Sequence, residues 1–559
     1  MFPLFLAQSF LPLTNPLGFA ASDFVELALA ALLLVLALVW RPYLEPSAMR
    51  LARRPVWCLL LLASLPVALR LILLPRHPVP VPDIYDEFSH LLVADTLRHF
   101  RLANPPHPLH QFFETFFVLQ EPTYSSIYPI GQGLVLAVGW TLFGTPWAGV
   151  VLSVAALCSL CYWMLRAWTT PAWALAGGLL AVMEFGPLNQ WMNSYWGGAV
   201  PAAGGCLVFG ALPRLRRAPR LRYALPLGAG LAINLLARPY ESIFLLLCVL
   251  VYFLPVWRSV MKPAFAAALV VLPAIGITLF QNKQVTGSWT MLPYTLSQYQ
   301  YGVPAALTFQ PNPVPHNILT PQQDLDYKMQ LSFRGEHAET LRSYLLRLAY
   351  RIRFYRFFFM PPLYLALPFF FIVIRRPRYA WVAFSLVIFA LGINFFPAFQ
   401  YHYLAAVTCL FVLVSVTGLR QLSRLNMLAA RVLVVLCVAQ FGLEYGLQLR
   451  NADTWSLELR SPAQRVAVNR ELARSPGKQL VFVRYWPHHI FQDEWVYNAA
   501  DIDRSRLVWA RDLGPDKDAK LIRYYPRRTV WLLEPDASPP RLTPYSSASL
   551  NSGRPASEE

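Results

Sequence analysis

The sequence predicts a polytopic α-helical membrane protein with a small α/β unit outside the bilayer. Three observations predict it. Of the 559 residues, 56% are hydrophobic and only 14% are charged. Apolar runs recur at about 20 residues, the length that crosses a bilayer as a helix. Basic residues gather in alternate turns between those runs.

The runs 24–40, 56–75, 147–166, 171–186, 196–213, 222–237, 239–257, 263–281, 358–374, 380–396, 403–419 and 429–447 each read as a crossing, about 12 in all. The turns after the odd-numbered crossings carry 18 Arg and Lys against one acid, Glu45. The positive-inside rule makes that face cytoplasmic. The formal charge of +18 is therefore topology, and no nucleic-acid partner is expected. The stretch 128–144, YPIGQGLVLAVGWTLFG, is also apolar enough to cross. A crossing there would send every later basic turn outside, so it is expected to lie at, or dip into, the outer leaflet. Both termini then face outward. The first 21 residues lack the basic start of a secretory signal.

Residues 1–55 read as an extra membrane helix with its cytoplasmic turn. Residues 56–447 form the membrane domain, with long outer segments at 76–146 and 282–357. Residues 448–535 read as a separate α/β unit. There QLVFVRY, RLVWA and TVWLL look like buried strands, and two polar stretches look helical. Residues 536–559 carry too few apolar groups to fold and are expected to be disordered. The seven cysteines all lie in apolar runs, so no structural disulfide is expected, and the CxxC of Cys158 and Cys161 reads as packing.

The first outer segment opens with PDIYDEFSHLLVADTL, residues 82–97. On a helix, Asp83 and Glu87, Asp86 and His90, and Glu87 and His90 share one face. A carboxylate at a water–lipid boundary is partly desolvated, which moves its pKa toward that of a useful base. The same spacing also suits a solvated juxtamembrane helix. Spacing alone leaves both readings open.

An Asp-Glu pair just after a membrane helix, here Asp86 and Glu87, resembles the signature of the GT-C membrane glycosyltransferases. That superfamily includes protein O-mannosyltransferases and aminoarabinose transferases of lipid A. YPIGQG resembles the proline-containing juxtamembrane helix that follows in those enzymes. DEFSHLLVADTLRHFRLANPPHP, NSYWGGAV and ARPYES are similar to a bacterial branch of the superfamily, and the likeness spans roughly residues 56–535. In this chain the second outer loop, GPLNQWMNSYWGG, has no acid, although relatives often carry one there.

The resemblance implies transfer of a sugar from a polyprenyl-phosphate donor to a lipid, glycan or protein acceptor. The reaction would occur at the outer face of a bacterial cytoplasmic (inner) membrane. It implies Asp86 as base, with Glu87 as its partner or as a metal ligand beside Asp86. Carboxylates of this kind hold Mg²⁺ or Mn²⁺. Candidate substrate contacts follow. His90 and Tyr128 flank the pair. Asn193, Tyr195 and Trp196 lie on the second outer loop. Arg238, Tyr240 and Glu241 stand at an outer helix end, and His402 precedes the eleventh crossing. Arg351, Arg353 and Arg356 break the charge rule on the outer side, and guanidinium groups suit phosphate. Each has a plainer reading as well: interface anchoring for the aromatics, helix-end pairing for Arg238 and Glu241, headgroup contact for the outer arginines. A lipid-linked glycan flippase and a non-catalytic envelope protein with the same fold remain alternatives.

Overall fold

The computed structural model describes residues 21–335, 339–450 and 463–545. The chain starts with α1 (Ala21–Ala52), which bends by 73° between Arg41 and Glu45, and α2 (Pro55–Ile72). The first outer segment carries α3 (Tyr85–Arg98), the short pair β1 (Val118–Leu119) and β2 (Ser125–Ser126), and α4 (Ile130–Phe143). The bundle continues with α5 (Pro146–Trp168), α6 (Pro171–Phe185), α7 (Ala199–Arg217), α8 (Leu221–Ala237), α9 (Pro239–Phe253) and α10 (Trp257–Thr286). The second long outer segment holds α11 (Pro293–Tyr301), α12 (Pro321–Arg334) and α13 (Leu341–Arg351). Then come α14 (Pro377–Ile393), α15 (Thr408–Leu425) and α16 (Met427–Leu449).

Five described helical segments are long and apolar enough to cross a membrane: Pro55–Ile72, Pro146–Trp168, Pro239–Thr286, Tyr401–Leu425 and Met427–Leu449. Four more, Ile130–Phe143, Pro171–Phe185, Leu221–Ala237 and Pro377–Ile393, are apolar but shorter. Pro239–Thr286 folds back on itself. A Cβ on Gly228 of α8 would meet Ala267 and Val270 of α10. A straight rod would carry Ala267 about 42 Å from Pro239, whereas Gly228 lies within about 17 Å of it along α8. The reversal falls at the 3-10 turn Leu254–Val256.

Two expected crossings differ in the structure. The run 358–374 is a chain of 3-10 turns, Pro361–Leu365 and Leu367–Val373, rather than an α-helix. Pro361, Pro362 and Pro368 each lack the N–H an α-helix needs. The run expected from 196 begins its helix only at Ala199, because Gly197 and Gly198 take φ of 98° and 121°, which helices forbid.

Basic turns knit one end of the bundle. Arg214 donates to Trp163 O at 2.8 Å, Arg217 to Ala167 O at 3.0 Å, and Arg431 pairs with Glu45 at 2.7 Å. Mid-bundle packing is close. A Cβ on Gly205 of α7 would stand 1.9 Å from Ala406 O, so only glycine fits where α7 meets the segment leading into α15.

At the other end lies α17 (Ala463–Arg474) and a four-stranded sheet in the order β4-β3-β5-β6. Strands β3 (Gln479–Val483), β4 (Leu507–Arg511) and β5 (Thr529–Glu534) are parallel, and α18 (Pro515–Tyr524) links the last two. This unit is not separate. Leu480, Phe482 and Val508 share one core with Leu92, Phe112 and Tyr124 of the first outer segment. Residues 541–544, expected to be part of a disordered tail, form a strand. Strand β6 (Arg541–Pro544) pairs antiparallel with β5, because an edge strand needs ladder bonds more than apolar side chains. The rest of the expected tail, and residues 1–20, where no secretory signal is expected, lie outside the described residues.

Candidate active site

Helix α3 begins where the chain leaves α2 and crosses a polar turn. Its first turn is held by Glu87. The Glu87 Oε2 accepts from the backbone N–H of Asp83 at 2.9 Å and of Ile84 at 3.3 Å. Its Oε1 accepts from the Tyr195 N–H at 2.7 Å. The side chain therefore caps its own helix and pins the second outer loop to it. Burial pushes its carboxyl up to about 7 against the pull of those three donors. With both oxygens engaged by backbone N–H groups, Glu87 ties the start of its helix to the second outer loop.

Asp86 faces the other way. It is buried, and its Oδ1 accepts a hydrogen bond from the Tyr128 hydroxyl. Burial raises its carboxyl to about 6, opposed by Tyr128, by the Arg238 charge and by the Trp196 indole. Tyr128 also stacks on His90, with ring centroids 4.2 Å apart. His90 sits one turn beyond Asp86, only 4% exposed, and neither ring nitrogen has a partner among the described residues. Burial, then Arg238, lowers its pKa to about 3, so it stands neutral. A buried imidazole with both nitrogens unpaired is costly unless something binds there.

Arg238 sits at the break between α8 and α9. Its guanidinium lies over Tyr403 at 5.6 Å. The guanidinium makes no hydrogen bond or ion pair among the described residues, yet its charge acts on Asp86, His90, Tyr128 and Glu241. Glu241 follows in the first turn of α9, buried, with Oε1 unpaired among the described residues. Trp196 stands edge-on to His402 at 4.9 Å. Asp86, His90, Tyr128, Trp196, Arg238, Glu241 and His402 thus come together from five segments of the chain.

The other expected contacts go elsewhere. Asn193 accepts from Arg70 Nε at 2.7 Å and donates to Pro187 O and Asn189 O, so its amide ties the second outer loop to α2. The Tyr195 hydroxyl donates to Pro80 O at 2.8 Å and the Tyr240 hydroxyl to Gly392 O at 2.9 Å. Arg351 is buried and donates to four carbonyls: Ile393, Phe396, Pro397 and Ala398. It ends α14 and is not a phosphate clamp. Arg353 lies 3.5 Å over the Tyr350 ring, and Arg356 is exposed. Sequence pattern placed these arginines by charge alone and missed their acceptors. Arg351→Ala would orphan those carbonyls, and a loss of about 3 kcal/mol is expected, seen as a lower melting temperature in detergent. Glu87→Gln keeps the shape but turns an amide N–H toward a backbone donor. Its expected cost is about 2 kcal/mol in the same measurement.

No group of three His, Cys, Asp or Glu side chains suited to a metal occurs among the described residues. His107 bonds Tyr525 at 3.1 Å and His489 bonds Asp536 at 2.7 Å.

One group escaped the sequence reading. Asp326 on α12 is fully buried and perturbed by Asp86.

No family model matches the chain, and no curated protein matches it. Solved structures do. ArnT from Cupriavidus metallidurans in the apo state superposes with a TM-score of 0.50 at 13% identity, over 85% of this chain and 92% of that one. The same protein bound to undecaprenyl phosphate gives a TM-score of 0.47 at 12% identity, over 85% and 92%. The Archaeoglobus fulgidus oligosaccharyltransferase tethered with an acceptor peptide gives 0.42 at 11%, over 85% and 69%. The likeness to ArnT, over 85% of this chain and 92% of that one, shows that the chain shares the fold of that structure.

Proposed function

We propose that the protein transfers a sugar from a polyprenyl-phosphate donor to a nucleophilic acceptor at the outer face of a bacterial inner membrane. The observation that carries this reading is the pairing of Asp86, buried and oriented by Tyr128, with Arg238, whose charge acts on Asp86 and whose guanidinium makes no ion pair among the described residues. A transferase of this kind needs a base for the acceptor proton and fixed positive charge for the departing phosphate.

The step balances with these groups. The acceptor's oxygen or nitrogen attacks the anomeric carbon as Asp86 takes its proton. The bond from that carbon to the phosphate oxygen breaks, and the polyprenyl phosphate leaves with the electron pair, its charge met by Arg238. Tyr128 and Trp196 hold the Asp86 carboxylate in line. His90 and His402, both buried and both beside Arg238, are placed to touch the phosphate or the sugar. A flippase would need polar groups along a path through the bilayer, whereas these groups gather at one end of the bundle.

Native mass spectrometry of the detergent-purified protein tests the reading, with wild type beside Asp86→Asn. A co-purifying polyprenyl-phosphate sugar, enriched in the variant, is the expected result. No adduct in either protein, even with donor added in excess, would sink the proposal.

A further inference from the structure

Tyr128 carries the hydroxyl that meets Asp86, and its backbone is fixed at both ends. Its N–H donates to the Ser126 hydroxyl at 3.1 Å. Its carbonyl accepts from Gln281 Nε2 at 3.0 Å. Pro129 follows and biases Tyr128 toward extended backbone, and α4 begins only at Ile130.

The two anchors come from different elements. Ser126 ends β2, and its hydroxyl lies 2.6 Å from that of Ser89. Ser89 gives its one hydroxyl proton to Phe117 O at 2.7 Å, so Ser126 is the donor between the two serines. The hydrogen bonds then run in one direction, from the Tyr128 N–H through Ser126 and Ser89 to Phe117 O. Ser89 stands one turn past Asp86 on α3. The helix that supplies the carboxyl therefore also holds the backbone of the residue that binds it. Gln281 comes from the outer end of α10, a helix that is otherwise apolar there. Ser89, Ser126 and Gln281 are all buried. A buried amide is costly unless it is hydrogen-bonded, and this one gives its N–H to Tyr128.

The ring is held as well. It stacks on His90 at 4.2 Å and stands edge-on to Phe117 at 6.0 Å. With backbone and ring both fixed, the hydroxyl is aimed at Asp86 before any substrate arrives. Such aim matters, because a reacting group displaced by about 1 Å loses on the order of 10²-fold in rate.

We propose that Gln281 and Ser126 are positioning residues, which hold the Tyr128 backbone from two sides and so set the place of the hydroxyl that orients Asp86. The effect on rate rests on the glycosyl-transfer reading above. The clamp itself rests on the hydrogen bonds alone.

The test uses the full chain in nanodiscs. 3-Fluorotyrosine placed at position 128 is read by ¹⁹F NMR, and undecaprenyl phosphate is the binding probe. Turnover is read on unlabelled protein as undecaprenyl phosphate released from a mixed set of undecaprenyl-phosphate hexoses and pentoses, with total envelope extract supplying the acceptor. Gln281→Leu should shift or split the Tyr128 resonance. It should lower turnover by about tenfold and leave undecaprenyl phosphate affinity within about twofold. Ser126→Ala leaves Ser89 on Phe117 and should give the same pattern from the other side, which keeps the test open if Gln281→Leu does not fold. In a Tyr128→Phe background either substitution should cost less than about twofold more, since the hydroxyl it positions is gone. A merely structural role would cost as much in that background as in the wild type, and that result overturns the proposal. So does a resonance that stays in place in both variants. A wild type that releases no undecaprenyl phosphate counts against the glycosyl-transfer reading instead, and the resonance then decides the clamp by itself.

Discussion

Asp86→Asn should lower sugar transfer by about 10³-fold while donor binding stays within a few fold. The size is that expected for loss of a positioned general base. The amide keeps the shape and still accepts from Tyr128, so the pocket should not collapse. Stability should move the opposite way from activity. The folded-state value of about 6 lies above the ordinary 3.8 for this carboxyl. Between those two values the unfolded chain has released the proton and the folded chain still holds it, so stability falls as pH rises through that window. At neutral pH the asparagine avoids that penalty, on the order of 3 kcal/mol at most. A dead enzyme with an unchanged or higher melting temperature is therefore the expected pair of results. A rate within tenfold of wild type would remove Asp86 from the role of base.

The pH dependence follows from the same value. A base works only when ionised. Transfer by the wild type should rise about tenfold per unit below pH 6 and level off above about 7. His90 does not contribute to this limb, because its depressed value keeps it neutral across the range. The residual rate of Asp86→Asn should lack the rise. A profile that stays flat from pH 5 to 8 in the wild type would place the titrating group elsewhere.

Much of the architecture was legible in the sequence because its signals are one-dimensional. Hydropathy finds apolar helices. It fails where the backbone is unusual. The prolines at 361, 362 and 368 turn an apolar run into 3-10 turns. Mean hydropathy does not register that change. The site was only half legible. Asp86 and His90 stand out by helical spacing, and Arg238 by its position at a helix end. The division of labour between Asp86 and Glu87 is invisible in sequence, because it depends on which backbone N–H groups meet each carboxylate. Asp326 was hidden by a reversal. Leu325 and Phe333 of the same helix are 43% and 58% exposed, while Gln322, Gln323 and Asp326 are buried. Hydrophobic periodicity places the apolar side inward, so here it points away from the buried carboxyl. The outer arginines misled for a related reason. Their charge is plain in the sequence, but the carbonyls that Arg351 satisfies lie more than 40 residues away.

Arg238→Gln should weaken undecaprenyl-phosphate binding by about 30-fold and transfer by a larger factor. Hydrogen bonds between a guanidinium and a phosphate are among the stronger ones in proteins, and in a dry site the charge is poorly replaced by solvent. The ground-state phosphate carries less charge at the bond to the sugar than the departing one does. Loss of the cation should therefore cost more in kcat than in donor affinity. Arg238→Lys is the informative companion. It keeps the charge but not the planar pair of donors, so it should restore part of the binding and little of the rate. The variant also tests the site's electrostatics from within. The Arg238 charge pulls the Asp86 carboxyl down, so without it the acid limb of the pH profile should move to higher pH, and in Arg238→Lys it should stay near that of the wild type. If the limb of Arg238→Gln did not move, Arg238 would stand too far from Asp86 to serve the same reacting centre. Equal losses of binding in Arg238→Gln and Arg353→Gln would return the phosphate to the outer arginines.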